Sequence, residues 1–332
     1  MKLASISFHW KTDSVGGAQL PAASMTAWAN RLGVPAHNIA FTKSGKPSKA
    51  FVQPTEGLNT FPTREFYNVV NSYEAAFFAT PGPAKGPDNY DQYFKSLSIP
   101  FVVMIHGEYD LGLYSAGGVG QIVHHPMCQA LLVMTEDSMP VWQRHLQPRR
   151  MLTFHPCTLP DLLLREDTEW NSGERRGLIY AARLTTVKHA PLLAELTCHD
   201  SFMAACDNTV DVHGVAPIFH IEKNCEFPNR RWQRFPGFYN VYDVESVRRM
   251  FASYIFYWEI FGARTHKWRF RRYNLSAVEA ITAGCIPIVN PQYAPDHYRT
   301  LSFSPQLDPF GDWSVEDIVD QLRGIREHLP QV

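Results

Sequence analysis

The chain lacks any marked excess of one charge. Among its 332 residues, 31 lysines and arginines stand against 32 aspartates and glutamates, a formal net charge of −1 at neutral pH. That balance excludes a basic coat for non-specific nucleic-acid binding and leaves room only for local basic patches. Cysteine is sparse, and Cys128, Cys157, Cys198, Cys206, Cys225 and Cys285 show neither C-x-x-C nor zinc-ligand spacing. Buried, reduced thiols in a cytosolic protein are the expectation. No run is long and apolar enough to span a bilayer. The amino terminus has no charged region followed by a long apolar run, so no signal peptide is expected. Internal repeats, low-complexity segments, an Asp-x-Asp metal motif and a G-x-G-x-x-G dinucleotide fingerprint are all missing.

What is present is apolar and aromatic. Hydrophobic residues make up 45% of the chain and aromatic residues 13%, enough for sizeable cores, and the length suits two domains. The first half reads as alternating strands and helices: strands at 3–8, 34–41, 74–80, 100–105, 130–134 and 151–154, helices at 20–32, 64–72, 90–97, 119–128 and 139–145. Residues 43–60 read as a polar loop. This is the order of a Rossmann-like α/β domain over residues 1–160, followed by a polar, acidic linker at 159–174. The second half, 161–332, starts again with a strand at 177–182 and an apolar helix at 190–197. A strand at 201–205, a polar loop at 210–214 and a mostly helical aromatic run at 246–261 are expected next. A helix over 313–329, capped by Ser314 and apolar along Ile318, Leu322 and Ile325, closes the chain.

Four stretches carry candidate chemistry. Ser276 to Val289 reads as a helix, a glycine stop and a buried strand. Ser276 with Glu279 fits a capping box, and Gly284 fits the left-handed position past a helix end. Glu279 then either caps its own helix or faces a ligand. Arg183 and Lys188, beyond the end of the strand at 177–182, could close on a diphosphate, arginine as a planar fork and lysine as a point charge. The plain alternative is a pair of solvated surface cations. Gly16 and Gly17 follow the first strand, where glycine lets backbone approach a ligand, or makes only a tight turn. His106, with Glu108 and Asp110 after it, sits at the carboxyl end of a buried strand, where such folds place ligands; a histidine bonded to its own loop is the alternative.

Strand-Ala-Arg-Leu-x-x-x-Lys followed by Glu-Ala-x-x-x-Gly-x-Ile-Pro, here Arg183 to Lys188 and Glu279 to Pro287, resembles the donor motifs of GT-B glycosyltransferases of the family 4 type. Within that family the DNA-modifying α-glucosyltransferases of phages are most similar. The resemblance implies a GT-B fold, two Rossmann-like domains facing across a cleft, with the last helix returning to the first domain. It implies retaining transfer from a UDP-sugar, with no tightly bound cofactor and no required metal. Arg183 and Lys188 would take the diphosphate, Glu279 the ribose hydroxyls, and Gly16, Gly17 and His106 would border sugar and acceptor. Many members have a second glutamate eight residues before the one matched by Glu279. That place is Arg271 here, so Asn274 or backbone amides would contact the sugar instead.

For the acceptor, the resemblance points to double-stranded DNA carrying a 5-hydroxymethyl pyrimidine, in the cytoplasm of the host where the gene is a phage's. Arg230, Arg231, Arg234, Arg264, Lys267, Arg269, Arg271 and Arg272, with Trp232 and Trp268, could hold phosphates and a displaced base, or could be solvated faces and core aromatics. A glycan or lipid-linked acceptor is the alternative, for which a basic amphipathic membrane face is expected; none stands near the amino terminus. A nucleotide-sugar binding module without turnover is the non-enzymatic reading.

Overall fold

A computed structural model describes residues 1–7, 20–42, 44–45, 58–81, 90–105, 118–154, 175–181, 190–212, 244–259, 275–289 and 314–328. The chain divides into two compact units, each with its own sheet.

In the first unit, β1 (Leu3–Ser7), β2 (Ala36–Thr42), β3 (Leu58–Pro62), β4 (Ala75–Phe78), β5 (Phe101–Ile105), β6 (Cys128–Val133) and β7 (Met151–Thr153) form a seven-stranded parallel sheet in the order β3-β2-β1-β4-β5-β6-β7. Helix α1 (Leu20–Arg31) packs over β1 and β2, where the Ser5 hydroxyl donates to Ala22 O at 2.8 Å. A short helix α2 (Phe66–Val70), a π-helical turn at Tyr90–Phe94, α3 (Gly118–His124) and α4 (Met139–Leu146) connect the remaining strands. Phe66, Phe78, Phe94 and Phe101 stack edge-on or tilted at the centre of the core on one face. Ala22, Phe77, Met104 and Leu132 form the smaller core on the other. Both faces are covered, which is why β4, β5 and β6 read as nearly unbroken apolar runs.

Strand β3 begins within the stretch read as a loop and runs two residues past it. Its five residues are all half-buried, and it ends the sheet at Pro62. An edge strand with a proline and no apolar alternation leaves little trace in sequence. Cys128, read as the end of a helix, opens β6 instead; its thiol is pushed up to about 11 by burial.

In the second unit, β8 (Leu178–Tyr180), β9 (Val210–Val212), β10 (Phe256–Glu259) and β11 (Ile286–Val289) form a four-stranded parallel sheet in the order β11-β10-β8-β9. The helices are α5 (Ala190–Leu196), α6 (Asp200–Ala205), α7 (Val244–Ala252), α8 (Leu275–Thr282) and α9 (Val315–His328).

Three expectations fail here. Residues 201–205 are helical, because Phe202, Met203 and Cys206 fall on one helical face and enter the core. The stretch read as a loop at 210–214 begins with β9, whose Val210 and Val212 are buried either side of Asp211. The aromatic run at 246–261 is helix only to Ala252; Phe256–Glu259 is a fully buried strand. A short apolar run without alternation cannot be told from helix by its period.

Helix α9 buries Ile318, Val319 and Leu322 in the second unit's core. Its Arg326 pairs with Asp207 at 2.5 Å. The Ser314 cap holds, with its Oγ accepting from Asp317 N at 3.0 Å. Replacing Ser314 by alanine should cost about 1 kcal/mol of stability, the usual loss for a serine cap, read as a lower urea midpoint for the second unit. An unmoved midpoint would make the cap dispensable. Among the described residues no helix is long and apolar enough to cross a membrane.

Candidate functional site

Open parallel sheets bind ligands beyond the carboxyl ends of their strands, at the point where the chain turns from building one side to building the other. In the second sheet that point lies between β8 and β10. The chain goes from β8 outward to β9, then crosses to β10 and β11. Phe256 and Trp258 face the core shared with α5, α6 and α9. By strand alternation, Tyr257 and Glu259 face the other way.

Tyr257 is fully buried, and its ring meets Phe251 edge-on at 5.7 Å. Its hydroxyl lies 2.9 Å from Ser276 Oγ, in the first turn of α8, and 3.3 Å from the carbonyl oxygen of Ala181, just past β8. Burial pushes the phenol well above its usual range; the neighbouring Glu259 charge and a hydrogen bond to that carboxylate push the same way, against a bond from Ser276. Glu259, only 6% exposed, ends β10.

Helix α8 carries Glu279, also 6% exposed. The helix already includes Leu275, so Ser276 is not its cap as read from sequence; its hydroxyl is engaged by Tyr257. The carboxyl end of α8 is as expected. Gly284 sits at φ +85°, its N–H bonds Ile281 O at 2.9 Å, and Cys285 N–H bonds Ala280 O at 2.8 Å. This pair is the Schellman arrangement, which needs a residue free to take positive φ. Cys285 is buried beneath it, its thiol pushed up to about 12 by desolvation against the opposing pull of Arg175.

Of the site residues expected from sequence, Glu279 lies within the described part. Gly16, Gly17, His106, Arg183, Lys188 and Asn274 lie outside it, as do Arg230, Arg231, Arg234, Lys267 and Arg269. The described strands lead directly to several of them. His106 follows Ile105, the buried last residue of β5, and Arg183 comes two residues after Ala181. Among the described residues, no three histidine, cysteine, aspartate or glutamate side chains are grouped to hold a metal ion.

Sequence reasoning missed Tyr257 and Glu259. The rule that singled out His106, a titratable residue ending a buried strand, would have found Glu259 had Phe256–Glu259 been read as a strand.

No family model matches the sequence, and no curated protein matches it significantly. Solved structures do match in fold along nearly the whole chain. One is an α-glucosyltransferase in complex with UDP and a 13-mer DNA containing a HMU base, with TM-score 0.69 and 13% identity over 99% of this chain and 91% of that one. The chain has a GT-B fold. An α-glucosyltransferase in complex with UDP matches at TM-score 0.67, with 12% identity over 98% of this chain and 90% of that one. The pneumococcal O-GlcNAc transferase GtfA in complex with UDP and GlcNAc matches at 0.56, with 11% identity over 99% of this chain and 91% of that one. At these identities the GT-B fold is what is shared. The two parallel sheets of the GT-B chain are the ones described above, and the Tyr257–Ser276–Ala181 cluster lies at the switch point of the second.

Proposed function

We propose that the chain is a retaining glycosyltransferase that moves a sugar from a UDP-sugar to an acceptor hydroxyl. The observation that carries the reading is the second unit's switch point. There, the helix bearing the buried Glu279 begins against the hydroxyl of Tyr257, which also reaches Ala181, just past β8 and two residues before Arg183. Structures with this fold were solved with UDP or with UDP-glucose, which supports the choice of donor.

In this reading Glu279 accepts hydrogen bonds from the ribose hydroxyls. Arg183 and Lys188 neutralise the diphosphate as the bond from its oxygen to the anomeric carbon breaks, and Asn274 contacts the sugar. Fixed cations at the point where charge develops stabilise the transition state more than the ground state. A bond forms from the acceptor oxygen to the anomeric carbon, and the acceptor hydroxyl's proton passes to the departing diphosphate oxygen. Gly16, Gly17 and His106, from a domain ending near residue 160, border the sugar and acceptor. The residues assigned to the diphosphate supply its counter-charge without a metal.

The acceptor we favour is a 5-hydroxymethyl pyrimidine in double-stranded DNA, met in the cytoplasm. Arg230, Arg231, Arg234, Lys267 and Arg269 supply the phosphate contacts. Its support is the α-glucosyltransferase structures solved with DNA containing a HMU base or an abasic site. Incubation with a panel of UDP-sugars and hydroxymethylated DNA, followed by nucleoside mass spectrometry, should show a hexose or pentose added to the base. DNA left unaltered with every donor would transfer the reading to a glycan or lipid-linked acceptor. UDP binding without transfer to any acceptor would leave a binding module.

A further inference from the structure

The residues assigned to the donor come from two chain segments far apart in sequence, one following β8 and one in α8. Something must hold those segments in register, and the described residues contain a group placed to do it. Tyr257, at the heart of β10 between β8 and β11, sends its hydroxyl past the strand ends. It lies 3.3 Å from the carbonyl of Ala181 on one side and 2.9 Å from the hydroxyl of Ser276 on the other. Glu259, two residues along the same strand face, is buried as well.

A phenol has one proton to donate and two lone pairs, whereas a serine hydroxyl both donates and accepts. The three oxygens therefore share a small closed set of bonds rather than each needing its own partner. Such a set, centred on a fully buried phenol, fixes geometry because breaking it leaves that buried polar group unsatisfied. The phenol is an unusual choice for mere packing. Phenylalanine fills nearly the same volume, and its neighbours Phe256 and Phe251 show that the core accepts it.

We infer that Tyr257 is a positioning residue for the nucleotide. It ties the first turn of α8, and so Glu279, to the chain leaving β8, and so Arg183. This inference rests on the UDP-sugar reading above.

The test is calorimetric titration of UDP into the full chain, wild type against Tyr257→Phe, Ser276→Ala and Ser276→Thr. Loss of positioning raises Kd about tenfold in Tyr257→Phe and Ser276→Ala, the size of one hydrogen bond, with one site per chain retained. Ser276→Thr keeps the hydroxyl and should bind within about threefold of wild type. A purely structural tyrosine gives a different signature. The folded fraction falls, so the number of sites per chain drops while Kd stays at the wild-type value, and that result overturns the inference. Full stoichiometry with unchanged Kd in both Tyr257→Phe and Ser276→Ala overturns it equally. If wild-type protein gives no heat with UDP, the donor reading itself fails and takes the inference with it.

Discussion

Gly177→Ala is expected to destabilise the second unit by about 2–5 kcal/mol, the sum of a left-handed backbone forced on alanine and an overpacked contact. Gly177 precedes β8 at φ +66°, and a Cβ there would stand 2.1 Å from the carbonyl oxygen of Thr209, 2.7 Å from Thr209 Cβ and 2.9 Å from Cys206 O. The atoms in the way are mostly backbone and cannot swing aside. Thr209 O is held as the acceptor of Leu178 N–H at 3.0 Å, the bond that starts the β8–β9 pair. Gly177 O receives Phe256 N–H at 3.1 Å, the bond that starts β10 beside β8. Gly177 N–H reaches Asp207, which also pairs with Arg326 of α9. Moving the backbone to make room would disturb three elements at once. A domain is typically stable by only 5–15 kcal/mol, so the variant should lose a large share of it, seen as a sharply lower urea midpoint. Gly33→Ala separates the two causes. Gly33 sits at φ +79° with nothing within 4 Å of its would-be Cβ, so it should cost only the backbone part, about 1–2 kcal/mol. Equal losses in the two variants would remove the steric argument, and an unchanged midpoint in Gly177→Ala would remove both.

The sequence was most legible where two levels of signal agreed. The α8–β11 corner has helix propensity, a glycine at the one place positive φ is needed and β-branched residues after it, and all three are found as read. The same holds for α9, where an N-cap serine and an apolar stripe coincide. It was least legible where tertiary burial alone decides. Residues 201–205 were read as a strand and form a helix, and the aromatic run 256–259 was read as helix and forms a strand. Burial on both faces of a parallel strand erases the alternation that would name it. That misreading hid the cluster as well. Tyr257 and Glu259 show their relation to Ser276 only once β10 is known to lie between β8 and β11. Ser276 itself was singled out for the wrong bond, because a serine near a helix start serves equally to cap it or to meet a neighbouring strand.

Arg183 and Glu279 are assigned to different parts of one donor, so removing each should cost binding in a chemically different way. Arg183→Ala should weaken UDP binding by about 10–100-fold, the worth of a charge-assisted hydrogen bond. It should lower turnover by about 10²–10³-fold, because the charge it meets is greatest as the diphosphate departs. Its binding of uridine, which has no phosphate, should be that of wild type. Arg183→Lys keeps the charge but not the planar fork, and should recover only part of the loss. Glu279→Gln should weaken UDP by a similar factor, since a buried carboxylate accepting from two hydroxyls becomes an amide with one acceptor oxygen. Here the dependence on ligand is reversed. Uridine should be weakened as much as UDP, and 2′,3′-dideoxy-UDP, lacking the hydroxyls, should bind wild type and variant alike. The pattern across three ligands is harder to mimic than any single loss, because misfolding would lower the number of sites for all three alike and leave each Kd unchanged. An Arg183→Ala protein that binds UDP as wild type does would end the diphosphate assignment. A Glu279→Gln protein that discriminates against 2′,3′-dideoxy-UDP as strongly as wild type would end the ribose assignment, whatever became of the first.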